Sequence, residues 1–337
     1  MAAGLVAAVA AAAMLTAAAA AGAAASAPAG LYALKSAQGA TWLARVLPNG
    51  TVVRVGSAGA NSSWLSTQGL SVLDAARGEL LAILADERDH NNPSLFRFSL
   101  ATGDIAGVVP LPIKNGDTIG VGQIIALAPA ATSEVLIGGS LATGEEVVGA
   151  VDRASGAFRV IGRLNSSREE VDIGCAVGSL DAAQGALFFG GLAPAPPYAR
   201  FVLRVNLTDG AVSHVANPAS HRISSYALDP ATGLIVGLGS HGQQEEIIVA
   251  SLDTRNETLS VIGSVPLTVL QYNLAGIVAL DTARQELTWL GAANSDGPWD
   301  LVATSLASGA PITSQVQLCA TLGQCEQFAA LVFYGGG

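Results

Sequence analysis

Between residues 226 and 266 short apolar runs alternate with polar breaks. Residues 226–228, 234–238, 247–252 and 259–265 read as four strands. The breaks carry turn chemistry: Asp229, Pro230, Thr232 and Gly233 after the first run, a polar loop at 240–245 after the second, and a tight turn at 253–257 after the third. No helix is expected in this pattern.

The same order recurs along the chain at a period of about 50 residues, the mark of a repeat architecture. Copies begin at Leu70, Ile124, near Cys175, at Tyr226 and at Asn273. The copy that starts at Leu31 matches the second, third and fourth strands but lacks the first, and the chain ends on a lone strand, residues 328–334 (FAALVFY). The two ends can combine into one four-stranded sheet, which closes a ring and removes the sheet edges an open array would expose. With this repeat and this closure the sequence resembles six-bladed β-propellers, over nearly all of the chain after the first thirty residues. The resemblance implies an all-β fold of six four-stranded antiparallel blades, with the C-terminal strand completing the N-terminal blade. The doublets Gly138-Gly139 and Gly190-Gly191 look kelch-like, but the late tryptophan of a kelch blade is missing and no strand ends on Trp-Asp as in WD40 repeats. The metal-binding motifs of six-bladed lactonases and lyases do not match these residues.

In such a blade the turns after strands one and three emerge on one face of the ring, and the connections after strands two and four on the other. The first face collects tight turns: DAARG, DAAQG, DPATG and DTARQ after strand one, LATGD, DRASG, LTDG and TRNET after strand three. The second collects long, varied loops at 86–94, 193–200 and 294–300, and function usually sits on varied loops held by a rigid scaffold. Counting back from the end of each first strand places Ser66, Asp172, His221, Asn273 and Glu326 at the mouth of the central channel. There a histidine, two carboxylates and an amide could receive a polar ligand or a metal. Trp299 and Tyr198 on the long loops are candidate docking aromatics. The run at 86–91 has hard-cation ligand types without the spacing or the glycine of a calcium loop. No nucleophile elbow is present.

At 50% hydrophobic and 12% charged, the 337 residues can bury a large core. The formal charge of −10 repels phosphate backbones, so no nucleic-acid partner is expected. Residues 1–30 contain no charged side chain and are mostly alanine; 1–25 read as a signal peptide cut after Ala25, 26–30 as a short linker and 31–337 as the propeller domain. No later stretch could span a membrane as a helix. Five N-x-S/T sequons, at Asn49, Asn61, Asn165, Asn206 and Asn256, are expected glycan acceptors, three of them on the tight-turn face. Of three cysteines, Cys319 and Cys325 are close enough to pair in an oxidising compartment, and Cys175 is expected to stay a buried thiol. These readings converge on a secreted, monomeric, glycosylated scaffold without cofactor that binds a protein or glycan through its long-loop face. The alternative is a metal-assisted hydrolase or lyase at the channel mouth.

Overall fold

The computed structural model describes Ala27 to Gly335 except residues 38, 58, 61–62, 65–70, 87–88, 112–118, 130–132, 142–144, 165–169, 172–178, 193–199, 216–221, 230–231, 241–245, 267–271, 293–298 and 320–327. The described residues form six antiparallel sheets. Blade 1 joins β26 (Phe328–Tyr334) to β1 (Gly30–Ala37), β2 (Ala40–Val46) and β3 (Val52–Arg54). Blade 2 has an innermost strand in two pieces, β4 (Ser63–Trp64) and β5 (Ser71–Asp74), followed by β6 (Glu79–Asp86), β7 (Asp89–Ser99) and β8 (Ile105–Pro110). Blade 3 runs through β9 (Ile119–Pro129), β10 (Glu134–Leu141), β11 (Glu146–Asp152) and β12 (Phe158–Arg163). Blade 4 again splits its first strand, into β13 (Glu170–Val171) and β14 (Ser179–Asp181), before β15 (Ala186–Leu192), β16 (Arg200–Asn206) and β17 (Val212–Val215). Blade 5 comprises β18 (Arg222–Asp229), β19 (Leu234–Ser240), β20 (Glu246–Asp253) and β21 (Thr258–Pro266). Blade 6 comprises β22 (Tyr272–Asp281), β23 (Glu286–Ala292), β24 (Trp299–Ser305) and β25 (Pro311–Cys319).

The innermost strands touch in the order β26, β5, β9, β14, β18, β22 and back to β26, so the blades form a closed six-bladed β-propeller. Closure occurs as the sequence implies: β26 pairs antiparallel with β1 from Gly30↔Tyr334 to Lys35↔Phe328. No helix is present among the described residues. The expected loop at 86–94 is instead mostly strand. β6 continues to Asp86 and β7 starts at Asp89, with Asp86↔Asp89 as a cross-strand pair, because the polar composition that reads as a loop here extends a hairpin. Trp299 and Asp300 likewise open β24 and do not belong to the loop before it.

Six apolar clusters fill the six seams between successive blades. The sandwiching explains why the second strands read as unbroken apolar runs, since both faces of each sheet are buried. In β6, Leu80, Ala82 and Leu84 pack toward blade 1 while Leu81 and Ile83 pack toward blade 3. Ala27 joins the seam between blades 1 and 2, and Pro28 accepts a hydrogen bond from the Tyr32 hydroxyl at 2.7 Å. On the tight-turn face the blades are tied twice. Within a blade, the first residue of the third turn donates its N–H to the end of the first turn: Leu100 to Gly78, Arg153 to Ser133, Leu207 to Gly185, Thr254 to Gly233 and Leu306 to Gln285, at 2.9 to 3.3 Å. Between blades, third-turn glycines lie against the preceding outer strand so closely that a Cβ on Gly156 would stand 2.5 Å from the Pro110 carbonyl. A Cβ on Gly263 would stand 2.6 Å from Gly309 Cα.

Candidate functional site

On the tight-turn face the first strands of four blades end on a buried aspartate: Asp74, Asp181, Asp229 and Asp281. A short carboxylate here accepts the turn's own N–H groups. Asp181 Oδ1 takes those of Ala183 and Gln184 at 3.0 and 3.1 Å, and Asp281 Oδ1 those of Ala283 and Arg284 at 3.0 Å each. In Asp74, Asp181 and Asp229 the second oxygen crosses the seam. Thr254 donates its hydroxyl to Asp181 at 2.8 Å, Gln285 its amide to Asp229 at 3.4 Å, and Arg153 sets Nη1 2.6 Å from Asp74 Oδ2 and 3.7 Å from Glu79 Oε2. Arg153 is 5% exposed, and its Nη2 meets no hydrogen-bond acceptor among the described residues. These groups are occupied in joining blades, while Asp209, Arg255, Glu257 and Arg284 of the same turns are exposed.

The same face carries three sequon turns. Asn49 and Asn256 are exposed and Asn206 is half-buried. Asn49 Oδ1 accepts the Thr51 N–H at 3.0 Å, Asn206 Oδ1 the Thr208 N–H at 2.9 Å, and Asn256 donates Nδ2 to Asp253 Oδ2 at 2.8 Å. Hydrogen bonds from the Arg255 and Asn256 backbone hold the Asp253 carboxyl below its ordinary range, and the Ser155 backbone and hydroxyl do the same for Asp152.

The sequence assigns the expected site to the opposite face. Asp172, His221, Glu326, Tyr198 and Ser66 fall outside the described residues, as do Asn61, Asn165, Cys175 and Cys325. Asn273 lies at the start of β22 opposite Gly291, and Trp299 at the start of β24 opposite Ala292 and Cys319. Both stand at the long-loop end of blade 6. In blades 5 and 4 the inner-strand residues opposite the glycines that match Gly291 are Ile223 and Val171, so Asn273 is a polar exception in that row. Among the described residues no group of three His, Cys, Asp or Glu could hold a metal ion. No helix among them is long and apolar enough to cross a membrane.

Two features of this face were not singled out by residue type. Phe201 at the start of β16 stacks on His214 of β17, with ring centroids 4.3 Å apart and planes within 8°. Asp300, the second residue of β24, is half-buried, and burial alone pushes its carboxyl above the ordinary aspartate range. Strand pairing sets Asp300 in line with Val147, Phe201 and Ile248 of blades 3, 4 and 5 and with Ser94 of blade 2.

The sequence matches no known family model, and no curated protein is similar to it in sequence. Solved structures are similar in fold. TolB from Acinetobacter baumannii superposes with a TM-score of 0.57 at 13% identity over 90% of this chain and 66% of that one. This chain thus spans about two thirds of that protein's length. A periplasmic gluconolactonase from Pseudomonas aeruginosa, PpgL, superposes with a TM-score of 0.52 at 11% identity, over 91% of this chain and 99% of that one. At these identities the likeness is one of fold.

Proposed function

We propose that the protein is a secreted, glycosylated binding scaffold that holds a protein or glycan on the long-loop face of its propeller. The observation that carries this reading is the asymmetry of the two faces. The aspartates of one are engaged in seam bonds and its turns present Asn49, Asn206 and Asn256, where glycans would hinder close docking. The other gathers the connections that differ in length and chemistry from blade to blade, with Trp299 at the start of a strand and Tyr198 within the sequence APAPPYAR. Aromatic anchors of this kind dominate docking energetics where they bind.

Protein secreted from a eukaryotic host and treated with a peptide N-glycosidase is expected to lose mass and to show Asn-to-Asp conversion at Asn49, Asn206 and Asn256. Cross-linking of whatever the protein captures from glycan arrays and extracellular fluid is expected to map to residues 193–200 and 293–300. A footprint on the turns at 74–79, 181–186 and 229–234 would overturn the assignment of faces. The second reading, a metal-assisted hydrolase or lyase at the channel mouth, draws from the gluconolactonase likeness only a shared scaffold. Elemental analysis of the purified protein separates the two.

A further inference from the structure

Charge is spread unevenly along the chain, and blade 1 is where the balance reverses. Residues 1–73 hold Lys35, Arg45 and Arg54 and no Asp or Glu, and residues 328–337 hold no charged side chain, whereas the whole chain has 26 Asp and Glu against 16 Lys and Arg. The strands of blade 1 come from these two stretches, so one blade is basic in an acidic protein. The carboxylates that follow and precede these stretches in sequence are Asp74, which belongs to blade 2, and Glu326, which lies outside the described residues.

Two of the three cations stand toward the long-loop end of the blade. Lys35 pairs with Trp42 across β1 and β2, and with Phe328 across β1 and β26. Because side chains alternate along a strand, Lys35 shares a sheet face with Ala33, Trp42 with Val46 and Arg54 with Val52, and this is the face turned toward blade 6. There each cation sits over a ring: Lys35 Nζ lies 5.1 Å from the Phe328 centroid and Arg54 Cζ 5.4 Å from that of Trp42. Arg54 is exposed, and Lys35 and Trp42 are half-buried. In blades 2 and 3 the arginines meet carboxylates, as Arg97 meets Glu79, Arg153 meets Asp74 and Arg159 meets Glu134. Among the described residues no ion pair reaches Lys35 or Arg54, and the one hydrogen bond of the Arg54 side chain runs from Nη2 to the Ser57 carbonyl at 2.8 Å. Trp42 contrasts with Trp289 in the same way. Trp289 is fully buried and donates Nε1 to Thr304 at 3.0 Å, whereas Trp42 joins none of the six apolar clusters and its indole N–H meets no acceptor among the described residues.

We infer that Lys35, Trp42 and Arg54 form a subsite for an anionic sugar, a uronic acid or a sulfated residue of an extracellular glycan; the inference rests on the assignment of the long-loop face as the binding face and names the chemistry of its ligand. The rings of Phe328 and Trp42 hold the two cations in place, so little side-chain freedom remains to be lost when an anion arrives. A carboxylate or sulfate then accepts charge-assisted hydrogen bonds from the ammonium and the guanidinium, and the free indole N–H donates to a sugar hydroxyl. Net charge separates a sugar from an acidic protein. At −10 the whole molecule repels a large acidic partner, whereas a short saccharide senses mainly the charges within about 8 Å, the screening length at physiological salt, and the strands of blade 1 carry no carboxylate side chain.

The test uses the full-length secreted protein and three fluorescein-labelled tetrasaccharides, tetragalacturonate, a heparin-derived tetrasaccharide and neutral maltotetraose, with a glutamate–glycine peptide of equal charge beside them, followed by anisotropy at low and high salt. At least one acidic saccharide is expected to bind about tenfold or more tightly than maltotetraose, and to weaken as salt rises. Binding of tetragalacturonate alone assigns a uronic acid, and binding of the heparin fragment alone a sulfated sugar. Arg54→Gln and Lys35→Met, which keep much of each side chain and remove its charge, are each expected to weaken that binding about tenfold. Lys35→Arg, which keeps the charge over the ring, is expected to bind like the parent. Acidic saccharides that bind the parent no better than maltotetraose overturn the inference, as does unchanged affinity in both Arg54→Gln and Lys35→Met. Tighter binding of the glutamate peptide than of either acidic saccharide overturns the choice of a sugar. Cross-links of a captured partner that map to residues 193–200 and 293–300 when neither acidic saccharide binds would leave the face assignment standing while the anionic subsite fails.

Discussion

Glu257 and Gln285 hold left-handed backbone, φ 53° and 54°, at turn positions that other blades give to glycine, such as Gly103, Gly156 and Gly309 in one case and Gly78, Gly185 and Gly233 in the other. A side chain in this region costs on the order of 1–2 kcal/mol, and glycine gives back about 0.4–1 kcal/mol through its freer unfolded chain. Glu257→Gly is therefore expected to raise stability by about 0.5–1 kcal/mol in urea unfolding; a lower midpoint would show that the Glu257 side chain earns its place by contacts. Gln285 differs, because its amide also bonds the Thr282 carbonyl at 2.9 Å and reaches Asp229 across the seam. Asp300 offers a pH test at the same scale. Burial raises its folded pKa, so the folded state binds the proton more tightly than the unfolded chain does. Its contribution to stability then falls as pH rises from the ordinary aspartate value of about 4 through the raised one, and the cost remains at neutral pH. Asp300→Asn is expected to raise the melting temperature at pH 7, with the gain gone near pH 3, where both states of the parent carry the proton; a gain independent of pH would locate the effect elsewhere. The turn glycines were legible as turn chemistry from residue type alone. Asp300 was not, because within NSDGPWD it reads as one more loop residue, and only strand pairing sets it in line with Val147 and Ile248.

At the scale of elements, the tight turns do two jobs, and the sequence reveals one of them. The motifs DAARG, DAAQG, DPATG and DTARQ announce where the chain reverses, but not that Asp74, Asp181 and Asp229 reach the next blade or the turn that enters it. The partner differs at each seam: a guanidinium from Arg153, a hydroxyl from Thr254, an amide from Gln285. Leu100, Leu207 and Leu306 fill the third-turn position that Arg153 and Thr254 fill elsewhere, so a nonpolar residue fits this geometry. Removing one member of a buried ion pair strands the other, which typically costs about 3–5 kcal/mol, whereas replacing both can be nearly neutral. Arg153→Leu is accordingly expected to destabilise the protein by about 3 kcal/mol. Asp74→Asn added to it should recover most of the loss, since an asparagine oxygen can still accept the Arg77 N–H that Asp74 Oδ1 takes at 3.3 Å. Urea denaturation of the parent, both single variants and the double variant measures the coupling. Additive losses in that cycle would mean that Arg153 and Asp74 do not depend on one another.

For the whole molecule, the ring closure and its seams were legible because strands sandwiched between neighbours carry apolar residues on both faces, and a leftover strand has one place to go. The contents of the channel mouth were not, since an estimate of which residues reach it depends on counting along first strands that are single in blades 5 and 6 but come as β4 with β5 and β13 with β14 in blades 2 and 4, and Ser66, Asp172, His221 and Glu326 fall outside the described residues. Closure depends on β26. It buries Phe328, Leu331 and Tyr334 to 4%, 2% and 6% exposure, and Tyr334 meets Tyr32 edge to face with ring centroids 6.5 Å apart. Burying large apolar side chains contributes about 1.5–3 kcal/mol each, so three of them supply roughly 5–9 kcal/mol. That is comparable to the roughly 5–15 kcal/mol by which a whole domain is stable. Without β26, the backbone groups along β1 would also become an open edge facing a gap in the ring. A chain that ends at residue 327 is therefore expected to lose its cooperative thermal transition. A synthetic peptide of residues 326–337, added during refolding, should restore part of the transition by pairing with β1. A truncated chain that melts like the parent would show that five blades and the three strands β1 to β3 stand without it, and that the final strand is an ornament of the fold and not its clasp.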